Sequence, residues 1–147
     1  MGERDDEELY LEMRTMMKTH FTQSRVVLEE HGLYVGQPRF LFVLRKHSGI
    51  SQKEMAEILC VKPATVNVTV KRLEKAGFIE KKIDEVNKRV SRLYLTDKGR
   101  KTCITVKEVM KDINEKSFNI LDDEEKEGLK KILKKVNNNL GKCLDKK

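Results

Sequence analysis

The stretch from Ser51 to Gly77 restricts the chain more than any other, because its pattern fits two short helices joined by a tight turn. Ser51-Gln52-Lys53-Glu54 has capping-box spacing: the Ser51 hydroxyl accepts from the Glu54 amide, and the Glu54 carboxylate accepts from the Ser51 amide. Met55, Ala56, Ile58 and Leu59 then supply a short apolar face, with Ala56 small where a second helix must cross closely. Cys60-Val61-Lys62-Pro63 interrupts that face, and Pro63 suits the first turn of a new helix, where a missing N–H costs nothing. From Pro63 to Ala76 the residues sort onto two faces. Val66, Val70 and Leu73, with Thr69 beside them, point inward, while Pro63, Ala64, Asn67, Val68 and Lys71 point outward. Gly77 is a helix stop. An outer face that opens with small and amide side chains and ends in Lys71 and Arg72 suits a DNA major groove. The plainer alternative is a helical hairpin inside a core.

The residues after Gly77 favour the groove. Phe78 to Ile83 alternates like a strand, Asp84-Glu85-Val86-Asn87-Lys88 is a polar turn, and Arg89 to Leu95 alternates again. A two-stranded hairpin directly behind a helix-turn-helix is a winged helix. The expected class is therefore mainly α with a small antiparallel β-hairpin (α+β), a winged helix-turn-helix accompanied by long helices.

Charge points the same way. Residues 37–101 hold 16 Lys and Arg against 7 Asp and Glu, whereas residues 1–36 hold 4 against 8 and residues 102–147 hold 11 against 9. The segment suspected of meeting DNA thus carries more than the whole formal excess of +7, the footprint of phosphate binding. No apolar run approaches the length of about 18 residues that a membrane span needs. The acidic start Glu3 to Glu8 is unlike a signal peptide, so a cytoplasmic protein without a membrane role is expected.

The run from Ser51 through Gly99 resembles the MarR/SlyA family of winged-helix transcriptional regulators. The resemblance is carried by Gln52 to Leu59, Ala64-Thr65-Val66, Val70 to Ile79 and the closing Leu95-Thr96-Asp97-Lys98-Gly99, and in length and element order it extends over roughly residues 5 to 144. One departure is at the wing: the family's Asp-x-Arg is here Asn87-Lys88-Arg89. The resemblance implies that Arg89 is the minor-groove arginine, an interaction favoured by the negative potential of narrow A·T-rich grooves.

Long amphipathic patterns frame the winged helix. Residues 5–31 repeat Leu9, Met13, Met16, Met17, His20, Phe21, Ser24, Val27 and Leu28 at helical spacing. Gln37-Pro38 opens a helix with Phe40, Leu41, Val43 and Leu44 as its apolar side, and Ile50 begins a short extended segment. Thr96 caps the next helix, striped by Cys103, Val106, Val109, Met110, Ile113 and Phe118. Asp122 and Glu125 box the last, striped by Leu129, Ile132, Leu133, Val136, Leu140 and Leu144 and weakened by Asn137 to Asn139. A winged helix spanning 37–101 needs none of the outer helices to fold. Residues 1–36 and 102–147 are therefore expected to pair across a two-fold axis as the dimerisation domain of a homodimer, with a monomeric helical cap as the alternative.

In the expected DNA contacts, Asn67 bonds the N6 and N7 edge of adenine and Ala64 and Val68 meet thymine methyls, beside Pro63. Lys62, Thr65, Lys71 and Arg72 bind phosphates, and Lys88 and Arg92 assist Arg89 on the backbone. Each of these has an ordinary solvated side chain as its alternative. Relatives often bind aromatic anions, and Met13, Arg14, Met17, His20, Phe21, Phe40 and Met110 could line such a cleft with Arg14 or Arg39 facing a carboxylate, plain core being the alternative. A small aromatic anion is thus the expected effector of a ligand-responsive repressor on a palindromic operator. An architectural DNA-coating protein of little sequence specificity is the second class.

Enzymatic chemistry finds no support. The sequence has no phosphate-cradling Gly-rich loop, no nucleophile elbow and no zinc-protease motif, so neither catalytic residues nor a cofactor are expected. His20, His31 and His47 lack a metal-ligand spacing. Cys60, Cys103 and Cys143, odd in number and widely spaced, exclude a disulfide framework and read as ordinary cysteines rather than a redox switch.

Overall fold

A computed structural model describes the backbone of residues 3–144 and the side chains of residues 5–141. Its elements run α1 (Glu3–Glu30), α2 (Pro38–Lys46), β1 (Ile50–Ser51), α3 (Gln52–Leu59), α4 (Pro63–Lys75), β2 (Ile79–Ile83), β3 (Ser91–Leu95), α5 (Asp97–Phe118) and α6 (Asp123–Leu144). The expected class, helices with a small antiparallel sheet, is the observed one. The three strands lie in the order β1-β3-β2. Ile50 sits opposite Leu93, and β2 pairs with β3 from Ile79↔Leu95 to Ile83↔Ser91.

Compactness divides the chain at Met110, within α5. In the first unit the core gathers Phe40, Leu41 and Leu44 of α2, Met55 and Ala56 of α3, Val66, Val70 and Leu73 of α4, and Phe78, Ile79, Leu93 and Leu95 of the hairpin. It also takes Leu28 and Leu33 from the region of α1, and Cys103 and Val106 from α5. The winged helix is therefore not self-contained within 37–101. Four of its core residues, Leu28, Leu33, Cys103 and Val106, lie outside that range.

Helix ends are set by local chemistry. The Ser51 capping box forms as expected, with Glu54 N donating to Ser51 Oγ at 3.2 Å and Ser51 N donating to Glu54 Oε2 at 2.7 Å. At the end of α4, Gly77 N donates to Glu74 O and Phe78 N to Leu73 O, with Gly77 at φ +81°. That is the paired closure in which glycine's freedom at positive φ is used, and both Leu73 and Phe78 are core residues. The stop of α3 makes the same bonds with Cys60 in the left-handed position, at φ 52°. Gly99 answers a different need: a Cβ there would collide with the carbonyl oxygen of Phe78. Thr96 Oγ1 donates to Gly77 O and accepts from Gly99 N at 3.0 Å. The Leu-Thr-x-x-Gly close is thus the lock between the end of α4, the start of β2 and the start of α5.

Several expectations change. Ile58 is 46% exposed, at the edge of an inward arc centred on Met55, Ala56 and Leu59. β3 starts at Ser91 rather than Arg89, because Val90 N is spent on Asn87 O inside the loop. In the second unit, Lys111–Lys147, the Asp122–Glu125 box forms at 3.0 and 2.8 Å. There α6 continues through Asn137 to Asn139, whose weak helix propensity lowers stability without ending a formed helix. The side chains of Cys143 and Leu144 lie outside the described ones.

Candidate nucleic-acid interface

The two faces of α4 separate as the sequence suggests. Val66, Val70 and Leu73 are at most 1% exposed, whereas Pro63, Ala64, Asn67, Val68 and Lys71 are all exposed, Val68 at 48%. An apolar Val and an amide on an open helix face have nothing to do for the fold. Lys62, the residue before α4, is exposed and extended at ψ 143°, and no side chain caps this helix end. Pro63 has no N–H and the Thr65 amide donates to Lys62 O at 3.0 Å, so of the first turn the Ala64 amide is the one left to meet an anion. Thr65 is exposed beside it. Farther along, Arg72 is also exposed and lines a shallow hollow of about 550 Å³ with Tyr34, Lys75 and Ala76.

The wing, residues 84–90 between β2 and β3, is organised by one carboxylate. Asp84 Oδ1 accepts from Val86 N at 2.9 Å and Asn87 N at 2.7 Å, and Asp84 N donates to Val90 O at 2.9 Å. Asn87 Oδ1 accepts from Arg89 N at 3.2 Å. An amide oxygen at position 87 thus still holds the backbone of Arg89, whose side chain is exposed, as is that of Lys88.

Arg92, expected to assist on the DNA backbone, is engaged with groups of the protein itself. Its Nε donates to Asp84 Oδ2 at 2.9 Å, and its Nη1 reaches Glu54 Oε2 and Gly49 O, both at 3.4 Å. Nε and Nη1 of the guanidinium thus engage protein groups, with the side chain 34% exposed. Hydrogen bonds dominate the resulting shifts. The Asn87 amide, then Arg92, lower the Asp84 carboxyl; the Ser51 backbone and hydroxyl lower Glu54; and the bond to Asp84 raises Arg92. Sequence reading passed over Asp84. The available signal was an Asp at a strand end, two and three residues ahead of backbone amides it could accept from.

The residues suggested for a ligand cleft are distributed unevenly. Met13, Arg14, Met17, Phe21 and Arg39 are exposed, and His20 is half-buried. Phe40 is 2% exposed within the core, and Met110 packs against that core. Among the cysteines, burial pushes the Cys103 thiol up, which disfavours the reactive thiolate. Cys60 is exposed. No group of three or more His, Cys, Asp or Glu gathers as a metal site among the described residues, and none of their helices is long and apolar enough to cross a membrane.

A basic winged helix-turn-helix with an exposed, uncapped second helix defines a DNA-binding module. Comparison with known proteins agrees. The MarR family model matches residues 33–91. An uncharacterized HTH-type transcriptional regulator of Bacillus subtilis, YybA, is 31% identical over 117 residues, covering 80% of this chain and 78% of its own. A MarR protein from Peptoclostridium difficile superposes with a TM-score of 0.77 at 30% identity, covering 90% of this chain and 86% of that one. The S. aureus MepR–DNA complex shares the fold at a TM-score of 0.80 and 23% identity, over 88% and 96% of the two chains. The chain belongs to the MarR family and is a DNA-binding transcriptional regulator rather than an enzyme.

Proposed function

We propose that this regulator is a cytoplasmic, homodimeric, ligand-responsive repressor of a palindromic operator. The observation that carries the reading is the division of α4 into a stripe with at most 1% exposure and an opposite face left open. In this reading α4 enters the major groove. Asn67 bonds adenine's N6 and N7, Ala64 and Val68 meet thymine methyls, and Pro63 seats the helix start. Lys62, Thr65, Lys71 and Arg72 hold phosphates and so set register without choosing sequence. Arg89 on the 84–90 wing enters the flanking minor groove, with Lys88 on the backbone; Arg92 leaves the set of DNA contacts.

Two copies present their recognition helices about 34 Å apart, one turn of B-DNA. Residues 1–36 and 102–147 hold that separation. The reading is supported by the exposed apolar stripes of α1 (Leu9, Met13, Met16, Met17 and Phe21) and α6, which a second copy would cover. A small aromatic anion bound against α1 would change the separation and release DNA, so blocking a promoter would depend on the effector being absent. Met13, Arg14, Met17, His20, Phe21 and Arg39 remain the candidates for its site. Support comes from Ser24, one turn beyond His20, whose buried hydroxyl has no partner among the described residues and could be satisfied by a polar guest.

Selection of bound DNA from a random pool tests the proposal. The expected product is a palindrome with half-sites about 10 base pairs apart, preferred at least about a thousandfold over unrelated DNA at physiological salt. Asn67→Ala should relax one position of each half-site at a cost of about 1–3 kcal/mol, and added aromatic acids should deplete the bound fraction. A pool that enriches nothing would overturn sequence-specific repression.

A further inference from the structure

The wing loop projects from a hairpin whose base is fixed in the core by Ile79, Leu93 and Leu95. Most of the loop's own hydrogen bonds, between Asp84 and Val90, Asn87 and Val90, and Asn87 and Arg89, stay inside it. They shape the loop but cannot aim it. The link that leaves the loop runs from Asp84 Oδ2 to Arg92 Nε at 2.9 Å. From Arg92 Nη1 it continues to Glu54 Oε2, the same oxygen that accepts from Ser51 N in the capping box of α3. Arg92 also sits opposite Ser51 across the β1–β3 pair, so strand register brings its side chain to the start of α3.

We infer that Arg92 is a positioning residue for DNA binding, fixing the angle of the wing against the helix-turn-helix by bridging Asp84 to Glu54. The chemistry suits arginine alone among the cations. Its planar fork can offer Nε to one carboxylate and Nη1 to another, while a lysine ammonium is a single point of charge. The Asp84 side chain is 19% exposed and Arg92 34%, so the closer pair is partly shielded from the solvent screening that makes fully exposed ion pairs nearly worthless. One carboxylate therefore does two jobs: Oδ1 folds the loop by holding Val86 N and Asn87 N, and Oδ2 ties the folded loop to Arg92. Displacing Arg92 would free the Asp84 carboxylate to move, loosening its hold on Val86 N and Asn87 N and leaving Arg89 present but unaimed.

The inference rests on the reading that the wing carries Arg89 to DNA, and two measurements separate them. In the free full-length protein, Arg92→Met should speed hydrogen exchange at the Val86 and Asn87 amides at least about fivefold. The amides of Val70 and Leu73 serve as the reference for an intact fold, and Arg92→Lys should fall between wild type and Arg92→Met. Exchange that does not change at Val86 and Asn87 would overturn the positioning role whatever Arg89 does. On the selected operator, Arg89→Ala should weaken binding and reduce the salt slope by about one, and adding Arg92→Met should weaken it no further. Losses that multiply, with a further drop of about one in slope, would make Arg92 a direct phosphate contact instead. Arg89→Ala with unchanged affinity would overturn the wing reading while leaving the exchange result standing.

Discussion

In α4 the apolar stripe of Val66, Val70 and Leu73 is at most 1% exposed, whereas in α6 Ile132, Leu133, Val136 and Leu140 are 60, 42, 42 and 55% exposed. Both helices repeat apolar residues every three or four positions. The difference lies in what each is offered. The stripe of α4 meets Met55 and Ala56 of α3 and the hairpin residues Phe78 and Ile79 within one core. Among the described residues of its own unit, α6 meets the end of α5, where Phe118, Leu121, Leu129 and Leu133 line an open groove of about 250 Å³ with Lys126 and Lys130. Periodicity shows that a helix seeks an apolar partner. It does not say which chain supplies it.

The sharpest contrast is in stability. Leu73→Ala should cost about 2–5 kcal/mol in urea denaturation, the range for emptying a leucine site in a closed core. A cost below about 1 kcal/mol would mean that the α4 core is much looser than its burial indicates. Leu133→Asp should leave the winged unit folded and raise the dimer dissociation constant at least about tenfold, measured by sedimentation equilibrium. An unshifted dimer would break the comparison, because the exposed stripe of α6 would then have no partner in a second copy. The smallest effect concerns helix ends. Gly77 closes α4 at φ +81°, and Cys60 closes α3 at φ 52° with a side chain that disfavours this region. Cys60→Gly should therefore stabilise the protein by about 0.5–1 kcal/mol in the same denaturation experiment; a loss of stability would show that the Cys60 side chain contributes more than its backbone strain costs.

Much of the winged unit was legible because its signals are local. Ser51 and Glu54 are three residues apart, Pro63 is tolerated only near a helix start, and Gly77 supplies a conformation that other residues resist. The outward face of α4 came from the same helical period that identified the buried one. The bridge made by Arg92 was not legible because its sequence neighbours show only a charge on a hairpin. Its partners lie 8 and 38 positions away, and strand register alone brings them within reach. Phe40 shows a related ambiguity: an aromatic on an amphipathic helix can face a cleft or a core, and only its tertiary neighbours decide.

By itself the sequence determined the helix starts and stops, the hairpin behind α4, the basic excess over residues 37–101 and the side of α4 left exposed. These depend on backbone preferences and periodicity acting within a few residues. Tertiary structure alone decided that Leu28, Leu33, Cys103 and Val106 complete the winged-helix core, that Gly99 lies against the Phe78 carbonyl, and that Asp84, Arg92 and Glu54 form one chain of charge. Each of these joins residues distant in sequence, where the geometry of packed elements, rather than any local preference, sets which atoms come within a few ångströms.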